Sequence, residues 1–274
     1  MILTRSVWAS NLESEFDLIG SLVDTYPLIS IDTEFPGVVV QSDPALRHRP
    51  EYNYRVMKAN VDRLHLIQLG LTLSDYEGNL PSFRTSNSFV WEFNFCEFDV
   101  GSDLYAPDSI ELLRGQGIDF ESNHEFGVQI QRFAELMKQY RLVCNPNIQW
   151  ITFHGASDFG YLVKALTSHG VLPQSIHDFI HLVKYFFGLR VYDVKHLIKF
   201  CPNLYGGLEK VAGSLNLKRA HGESHQAASD SLLTLKVFMK INEMYFERDN
   251  DQNMLLKLAG ILHTIEVTCV IAVV

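Results

Sequence analysis

Hydrophobic and polar residues alternate along this chain with two different periods, and the change of period predicts where strands and helices lie. Apolar residues at helical spacing from Asn11 to Tyr26 predict the first helix. The run Leu28 to Phe35 begins as a buried strand, because strand-forming residues follow Pro27 directly. Alternation over 64–73 and an aromatic-rich stretch at 88–98 predict two more strands. Three consecutive strands joined by turns form an antiparallel meander.

Helices and short strands make up the remainder of the chain. Short apolar runs at 148–153 and 191–192 predict two strands. Helical spacing predicts helices at 51–62, 107–113, 126–140, 157–167, 175–187, 194–200, 207–215 and 225–246. This order predicts an α/β fold in which a mixed sheet is flanked by helices. The sequence shows no low-complexity linker and no internal repeat, so one domain over residues 1–274 is the economical interpretation.

The acidic net charge restricts how this chain could bind nucleic acid. Its 274 residues are 47% hydrophobic and 20% charged, and the formal net charge is −9. That charge argues against binding by bulk electrostatics, but it allows a nucleic-acid enzyme whose acidic site is neutralised by bound metal. The four cysteines are widely spaced and form no Cys-x-x-Cys pair, which indicates reduced thiols. We therefore expect a cytoplasmic and nuclear protein.

The C-terminal segment 254–274 is apolar but does not predict a membrane span. Lys257, His263 and Glu266 interrupt it, and the uninterrupted part, Val267 to Val274, is too short to cross a bilayer. The N-terminal residues carry no signal-peptide pattern. We expect no membrane association and interpret 254–274 as an atypical apolar tail that packs on the domain or is covered by a partner.

Two acidic residues lie at the end of the first predicted strand. Side chains alternate along a strand, so Asp32 and Glu34 project from the same face. Burying both carboxylates unpaired would cost several kcal/mol. A divalent cation would remove that penalty, and hard oxygen ligands suit magnesium or manganese. An isolated Asp-x-Glu is more often a solvated strand end, so the metal interpretation depends on the rest of the chain.

Two further acids and a histidine occupy predicted helices later in the chain. Asp158 lies at the start of a helix, either as an ordinary N-terminal helix acid or as a residue that points into a site. Asp230 lies within a predicted helix, where aspartate is a poor helix former. His225 precedes it by five positions, on a partly shared face or as a solvated cap. Each residue alone has an ordinary structural explanation, and only their combination favours a site.

Taken in order, these residues resemble the catalytic set of the DEDD exonuclease superfamily, and the histidine marks its DEDDh branch. The blocks around them resemble the Caf-one/Pop-two deadenylases, which are nuclease subunits of the Ccr-four–Not complex. The matching blocks are Ser30 to Gly37, Phe153 to Leu162, Tyr192 to Leu197, Gly206 to Leu208 and His225 to Leu233. The likeness extends over about residues 7–246, nearly the whole chain, and is closest to plant members.

The resemblance implies a ribonuclease H-like exonuclease fold with a mixed five- to six-stranded sheet. It also implies removal of adenosines from the 3′ end of messenger RNA, with release of 5′-AMP. By position, Asp32, Glu34, Asp158 and Asp230 become ligands of two divalent ions, Mg²⁺ or Mn²⁺, and His225 becomes the general base. Such a carboxylate set can hold two ions about 4 Å apart, and a histidine can take the proton of the attacking water.

The family also implies partners, namely the poly(A) 3′ end, a Not-type scaffold subunit and a Ccr-four-type nuclease subunit. Two weaker candidates for substrate binding adjoin the acids. Phe35 either stacks on a terminal base or is a core phenylalanine. His154 either orients a ligand carboxylate or is a packed histidine bonded to backbone. Two departures from the family pattern are Ala228, where glycine is usual, and the tail from Gly260 onward.

Three functions are compatible with the sequence. The complete acid set favours an active, metal-dependent 3′-to-5′ exoribonuclease that acts on poly(A). The alternatives are a catalytically weak bridging subunit of the decay assembly and a DNA proofreading or trimming exonuclease. We expect strict dependence on a divalent ion, because the motifs that carry the carboxylates contain no cationic side chain to replace it.

Overall fold

A six-stranded sheet forms the centre of the structure and positions the acidic residues. The computed structural model describes residues 1–167, 169–247 and 254–266. The strands are β1 (Ile2–Val7), β2 (Leu28–Glu34), β3 (Gln68–Ser74), β4 (Ser88–Asn94), β5 (Gln149–Thr152) and β6 (Val191–Asp193). Their order across the sheet is β1-β4-β3-β2-β5-β6.

The strand directions agree with the predicted mixed sheet. β2, β3 and β4 lie side by side and antiparallel as predicted, but a helix at Pro50–Arg63 rather than a turn connects β2 to β3. β5 and β6 extend the sheet in parallel from β2. β1 pairs in parallel with β4 at the opposite edge. The sequence pattern does not predict β1, because this edge strand is half-buried along most of its length and shows no alternation of buried and exposed residues.

Helices cover both faces of the sheet. Over the described residues they are α1 (Leu12–Leu22), α2 (Pro50–Arg63), α3 (Pro107–Gly115), α4 (Phe120–Phe126), α5 (Ile130–Gln139), α6 (Ala156–Thr167), α7 (Ile176–Phe187), α8 (Val194–Leu197), α9 (Leu208–Ser214), α10 (Ala227–Ile241) and α11 (Met254–Lys257). The helix predicted at 126–140 is confirmed only from Ile130 onward, as α5, because the chain is extended at Gly127 and Val128. There the Val128 amide donates to the Asn94 carbonyl at 2.7 Å, so this backbone belongs to the sheet edge.

The last long helix also differs from the prediction of 225–246. α10 begins at Ala227, and a π-helical turn at Asn242–Phe246 follows it. His225 has a φ of 61°, in the left-handed region, and so lies in the preceding loop. A left-handed residue cannot continue a right-handed helix, so the histidine and Asp230 do not share a helix face.

The two faces of β2 have different surroundings. Ile29 and Ile31 belong to the large apolar cluster formed with α1, α5, α6 and α7. Leu28 belongs to the cluster formed with α9 and α10. Because side chains alternate along the strand, Asp32 and Glu34 project from the α10 face, as the sequence predicts.

Helix α10 approaches the sheet closely at one glycine. A Cβ atom at Gly70 would lie 1.9 Å from the Ala227 carbonyl oxygen, so only glycine allows this approach without a backbone shift. Gly70 pairs with Asp32 across the two strands. The first turn of α10, which carries Asp230, is therefore held against the strand residues nearest to Asp32.

The described part of the predicted apolar tail packs on the sheet edge. The Gly260 amide donates to the Val191 carbonyl at 2.8 Å, and Ile261 bridges Tyr192 in parallel. Leu262 and Ile265 are buried in the main core. Residues 267–274, which complete the predicted tail, lie outside the described residues. No helix in the described part of the chain is long and apolar enough to cross a membrane.

We expect Gly70→Ala to destabilise the protein, because the new methyl group meets backbone atoms of Ala227 that cannot rotate away. Overpacking of this kind costs about 1–3 kcal/mol. Urea unfolding followed by circular dichroism would measure the loss.

The matched control is Gly213→Ala. A Cβ atom at this helical glycine in α9 would have no neighbouring atom within 4 Å, and alanine is favoured over glycine in a helix by about 1 kcal/mol. The control should leave stability unchanged or raise it. Equal stability of both variants would contradict the close approach of α10 to β3.

Candidate active site

The end of β2 presents two carboxylates that have no hydrogen-bond donor among the described residues. Asp32 is half-buried, and Glu34 is buried with 9% of its surface exposed. Across the strand pair Glu34 stands opposite Gln68, whose side-chain amide donates to Asn94 at 2.7 Å instead. Two mainly buried carboxylates without donors are costly to keep charged unless a cation neutralises them.

Asp230 joins these acids from the first turn of α10. It is 8% exposed, and its Oδ2 accepts the backbone amide of His225 at 2.8 Å. Glu34, His225 and Asp230 each offer one ligand atom, and these three atoms lie within 4.8 Å of one another. Among the described residues this is the group whose spacing fits a single metal ion.

Asp158 lies at the same end of the sheet but outside that group of three. It is buried near the start of α6, and its two oxygens accept hydrogen bonds from Thr33 and from Thr152, the latter at 2.8 Å. Gly155 makes room for this arrangement, because a Cβ there would lie 2.2 Å from the Thr152 side chain. The two threonines fix the carboxylate while each oxygen keeps a free lone pair for a further ligand.

The protonation equilibria show that the acids share one electrostatic environment. Burial raises the pKa of Asp32 well above its ordinary value, and the charges of Asp158, Glu34 and Asp230 raise it further. Burial, followed by the charges of Asp230 and Asp158, raises the pKa of Glu34 to about 8. Burial also raises the pKa of Asp158 to about 6, against the opposing hydrogen bonds from the threonines. The four carboxylates therefore repel one another in the folded chain.

Two cavities with shared walls open beside the acids. One, of about 430 Å³, is lined by Glu34, His225 and Asp230. The other, of about 610 Å³, is lined by Asp158 and extends to Arg47. The residues common to both linings are Asp32, Thr33, Phe35 and Phe153. Cavities of this size hold nucleotide-sized ligands, and together they form a groove with Asp32 at its centre.

The two weaker sequence candidates both line this groove. The Phe35 ring lies 5.3 Å from the Tyr161 ring and remains partly exposed, so it is both a packing residue and a groove wall. The His154 ring packs edge-on against His263 at 5.0 Å, and its backbone amide donates to Asp193. Their roles in substrate binding stay predictions.

Asp193 explains why the block Tyr192 to Leu197 accompanies the acids. Its carboxylate accepts the backbone amides of His154, Gly155, Lys195 and His263, at 2.8, 3.2, 3.0 and 2.9 Å. One buried side chain thus joins the loop before α6, the start of α8 and the C-terminal segment. The family blocks contain this residue, but nothing in the sequence pattern marks it as a structural link.

Sequence reasoning also missed a cation at the site. Arg219 Nη2 lies 2.6 Å from Asp230 Oδ1, and the arginine also contacts Glu209, which lines the smaller cavity. The motifs that carry the acids contain no cation, but the folded site does. Arg219 lies in the loop between α9 and α10, outside those motifs, so only the folded chain brings it there.

The residues present fit divalent metal ions. The ligand set consists of hard carboxylate oxygens, which suit Mg²⁺ or Mn²⁺. Asp32 and Glu34 accept no hydrogen bond from any described residue, so their lone pairs are available. The raised pKa values of Asp32 and Glu34 indicate a concentration of negative charge that a cation would relieve.

Solved structures resemble this chain over most of its length. Schizosaccharomyces pombe Pop2p, solved in a Mg²⁺- and Mn²⁺-bound form, matches with a TM-score of 0.86 and 41% identity, over 95% of this chain and 99% of that chain. Yeast CAF1 co-crystallised with the NOT1 MIF4G domain has a TM-score of 0.77 and 33% identity, over 95% and 96%. Exonuclease I shares the fold alone, at 12% identity and a TM-score of 0.52, over 79% of this chain and 40% of that chain. These matches confirm the ribonuclease H-like fold.

Sequence relatives agree with the structural matches. The Arabidopsis thaliana protein named probable CCR4-associated factor 1 homolog 7 is 50% identical over 246 residues, which cover 89% of this chain and 88% of that protein. The S. pombe poly(A) ribonuclease pop2 is 42% identical over 257 residues, or 94% and 74%. The model of the CAF1 family ribonucleases matches residues 7–145. The chain therefore belongs to the CAF1 family of ribonucleases.

Proposed function

We propose that this protein is a metal-dependent 3′-to-5′ exoribonuclease that shortens the poly(A) tail of messenger RNA and releases 5′-AMP. The observation that carries the proposal is the convergence of Asp32, Glu34, Asp158 and Asp230 with His225 along one groove. The relative named poly(A) ribonuclease supports the substrate. The Mg²⁺- and Mn²⁺-bound neighbour supports divalent ions as cofactors.

Each site residue has a chemical role in this proposal. Two divalent ions, when bound, would supply positive charge that activates water and stabilises the pentacovalent transition state. Glu34, Asp32 and Asp230 provide oxygen ligands, and Asp158 completes the set from α6 with an orientation fixed by Thr33 and Thr152.

His225 acts as the general base in this scheme. Its side chain is exposed and reaches the ligand atoms of Glu34 and Asp230 within 4.8 Å. Its backbone amide donates to Asp230, and this hydrogen bond fixes the position of the His225 backbone beside the acids. An exposed imidazole at this place can accept the proton of an attacking water and pass it to solvent.

The groove suits the end of a single strand. Phe35 and Phe153 line both cavities, and aromatic rings are surfaces on which bases stack. Arg47 lines the larger cavity away from Glu34 and Asp230, where it is placed to attract an upstream phosphate. The acidic end would therefore hold the terminal phosphodiester while the preceding nucleotides extend toward Arg47.

A bridging role is the second candidate function. A similar chain, yeast CAF1, was crystallised with the NOT1 MIF4G domain, which supports a Not-type scaffold partner here as well. We also propose a Ccr-four-type nuclease subunit as a partner and a cytoplasmic and nuclear location. The complete acid set favours catalysis over bridging alone, since a pure scaffold gains nothing from mutually repelling buried carboxylates.

The direct test is an exonuclease assay on 3′-hydroxyl oligo(A), with oligo(U), oligo(dA) and circular poly(A) as matched substrates. We expect Mn²⁺- or Mg²⁺-dependent release of 5′-AMP from oligo(A), with no products from the circle and none in excess chelator. Undiminished activity in chelator, or equal cleavage of the circle, would refute the proposal. A faster reaction on oligo(dA) would favour the DNA exonuclease alternative.

Glu34→Gln should abolish activity and change how metal-free stability depends on pH. The pKa of Glu34 in the folded chain is raised from 4.5 to about 8, so the folded state binds this proton more tightly than the unfolded state. Its contribution to stability is present below pH 4.5 and is lost as pH rises toward 8. The variant should therefore unfold at a higher temperature than wild type at pH 8, with the difference shrinking toward pH 5.

Thermal melts at both pH values, with chelator and with Mn²⁺, measure this effect. We expect a gain of about 1 kcal/mol or more at pH 8, or about 2–4 °C for a chain of this size, and a smaller Mn²⁺-induced rise than in wild type. Glu77→Gln, an exposed substitution of the same charge, is the control. A variant less stable than wild type at pH 8 that kept the full Mn²⁺ response would contradict the role of Glu34.

His225→Ala separates a general base from a metal ligand. The four carboxylates remain, so the Mn²⁺-induced rise in melting temperature should persist while the rate falls by about 10²–10⁴-fold. Asp230→Asn should lose both the rate and most of the Mn²⁺ response, and His177→Ala, on the exposed side of α7, should lose neither. If His225→Ala alone removed the Mn²⁺ response, the histidine would be a ligand rather than the base.

A further inference from the structure

Arg219 contacts the acidic site, and its side chain is less exposed than that of an ordinary surface arginine. Its side chain is only 13% exposed, beside an Asp230 side chain that is 11% exposed. Nη2 lies 2.6 Å from Asp230 Oδ1, and Nη1 donates to Ser229 Oγ at 2.5 Å. Nε donates to Glu209 Oε1 at 3.0 Å. In the described part of the chain no other lysine or arginine forms an ion pair with Asp32, Glu34, Asp158 or Asp230.

The guanidinium has two anionic partners with very different surroundings. Asp230 is buried and belongs to the set that would hold metal, whereas Glu209 is 56% exposed at the start of α9. Ser229 connects the arrangement to the loop, since its hydroxyl donates to the His221 carbonyl at 2.6 Å. Arg219 could therefore leave Asp230 without leaving the site, because Glu209 and Ser229 would still hold it.

The charge of Arg219 reaches beyond its direct partner. It lowers the pKa of Asp32 against the larger effects of burial and the neighbouring acids, so it relieves part of the repulsion in the set. The same positive charge opposes a divalent cation at this place, because like charges a few ångströms apart repel strongly in a partly buried site. Asp230 does not need the arginine for its position, since α10 and the His225 amide already hold it.

We propose that Arg219 is a displaceable counter-ion of the metal site. While no divalent ion is bound, it neutralises Asp230 and stabilises the clustered acids. On metal binding it yields Asp230 Oδ1 and stays on Glu209 and Ser229. The proposal rests on the proposed metal-dependent function. It adds that Arg219 lowers the affinity of the site for metal and raises the stability of the metal-free protein.

The test compares Mn²⁺ affinity and metal-free stability in the full chain. Isothermal titration with MnCl₂ gives the affinity, and thermal melts in chelator give the stability of wild type, Arg219→Gln, Arg219→Lys and Glu209→Gln. Lys218→Gln removes the same charge from the exposed neighbouring residue and is the matched control. Circular dichroism at the titration temperature shows that each variant is folded.

We expect Arg219→Gln to bind Mn²⁺ about tenfold more tightly or better and to melt at a lower temperature in chelator. Loss of one nearby positive charge favours the divalent ion by more than about 1.4 kcal/mol, which is tenfold. Arg219→Lys should lie between wild type and Arg219→Gln, because it keeps the charge but loses the forked geometry. Glu209→Gln should bind Mn²⁺ more weakly, because the displaced arginine loses its second partner.

Weaker or unchanged Mn²⁺ binding in folded Arg219→Gln would overturn the proposal, since it would mean that the arginine only positions Asp230. If Arg219→Gln does not fold, Glu209→Gln decides, and unchanged or tighter Mn²⁺ binding in that variant overturns the proposal. If Lys218→Gln changed Mn²⁺ affinity as much as Arg219→Gln, the loss of one positive charge from the protein would explain both results. That outcome would also overturn the proposal. If wild type binds no Mn²⁺ at all, the proposed metal-dependent function fails with it.

Discussion

Repulsion among carboxylates at the end of β2 is the constraint on which the rest of the site depends. Asp32 and Glu34 project together into a space shared with Asp158 and Asp230, and burial raises the pKa of Asp32, Glu34 and Asp158. Such a concentration of charge persists only if surrounding contacts hold it in place and if cations offset it. The structure provides three kinds of contact for this purpose, namely hydroxyl donors, a partly buried counter-ion and close backbone packing.

The contacts differ from one acid to the next. Thr33 and Thr152 hold Asp158, whereas the His225 amide holds Asp230 and Arg219 forms an ion pair with it. Asp32 and Glu34 receive no hydrogen bond from the described residues, so they carry the greatest demand for an external cation. Asp158 and Asp230 have partners that stabilise the groove without metal, whereas Asp32 and Glu34 keep their oxygens available as metal ligands.

Packing at some distance from the acids sets their geometry. Gly70 lets α10 rest on β3, and Asp193 gathers the amides of the loop before α6, the start of α8 and the C-terminal segment. The segment up to residue 266 thus joins the wall of the groove, where Thr264 lines the larger cavity. The family resemblance gave no indication of this contact, because from Gly260 onward the sequence departs from the expected pattern.

The sequence alone determined the mixed sheet, its three consecutive antiparallel strands and the shared face of Asp32 and Glu34, because period-two alternation and strand-forming residues are local properties. Family resemblance added the order of the acids and the histidine. The local sequence pattern did not predict edge strand β1, because pairing within the sheet decides it. It also did not predict the start of α10 at Ala227, because the left-handed conformation of His225 decides it. Only the tertiary structure decided that Arg219 pairs with Asp230 and that the threonines bind Asp158. These partners come from separate elements of the chain and meet only when those elements pack together.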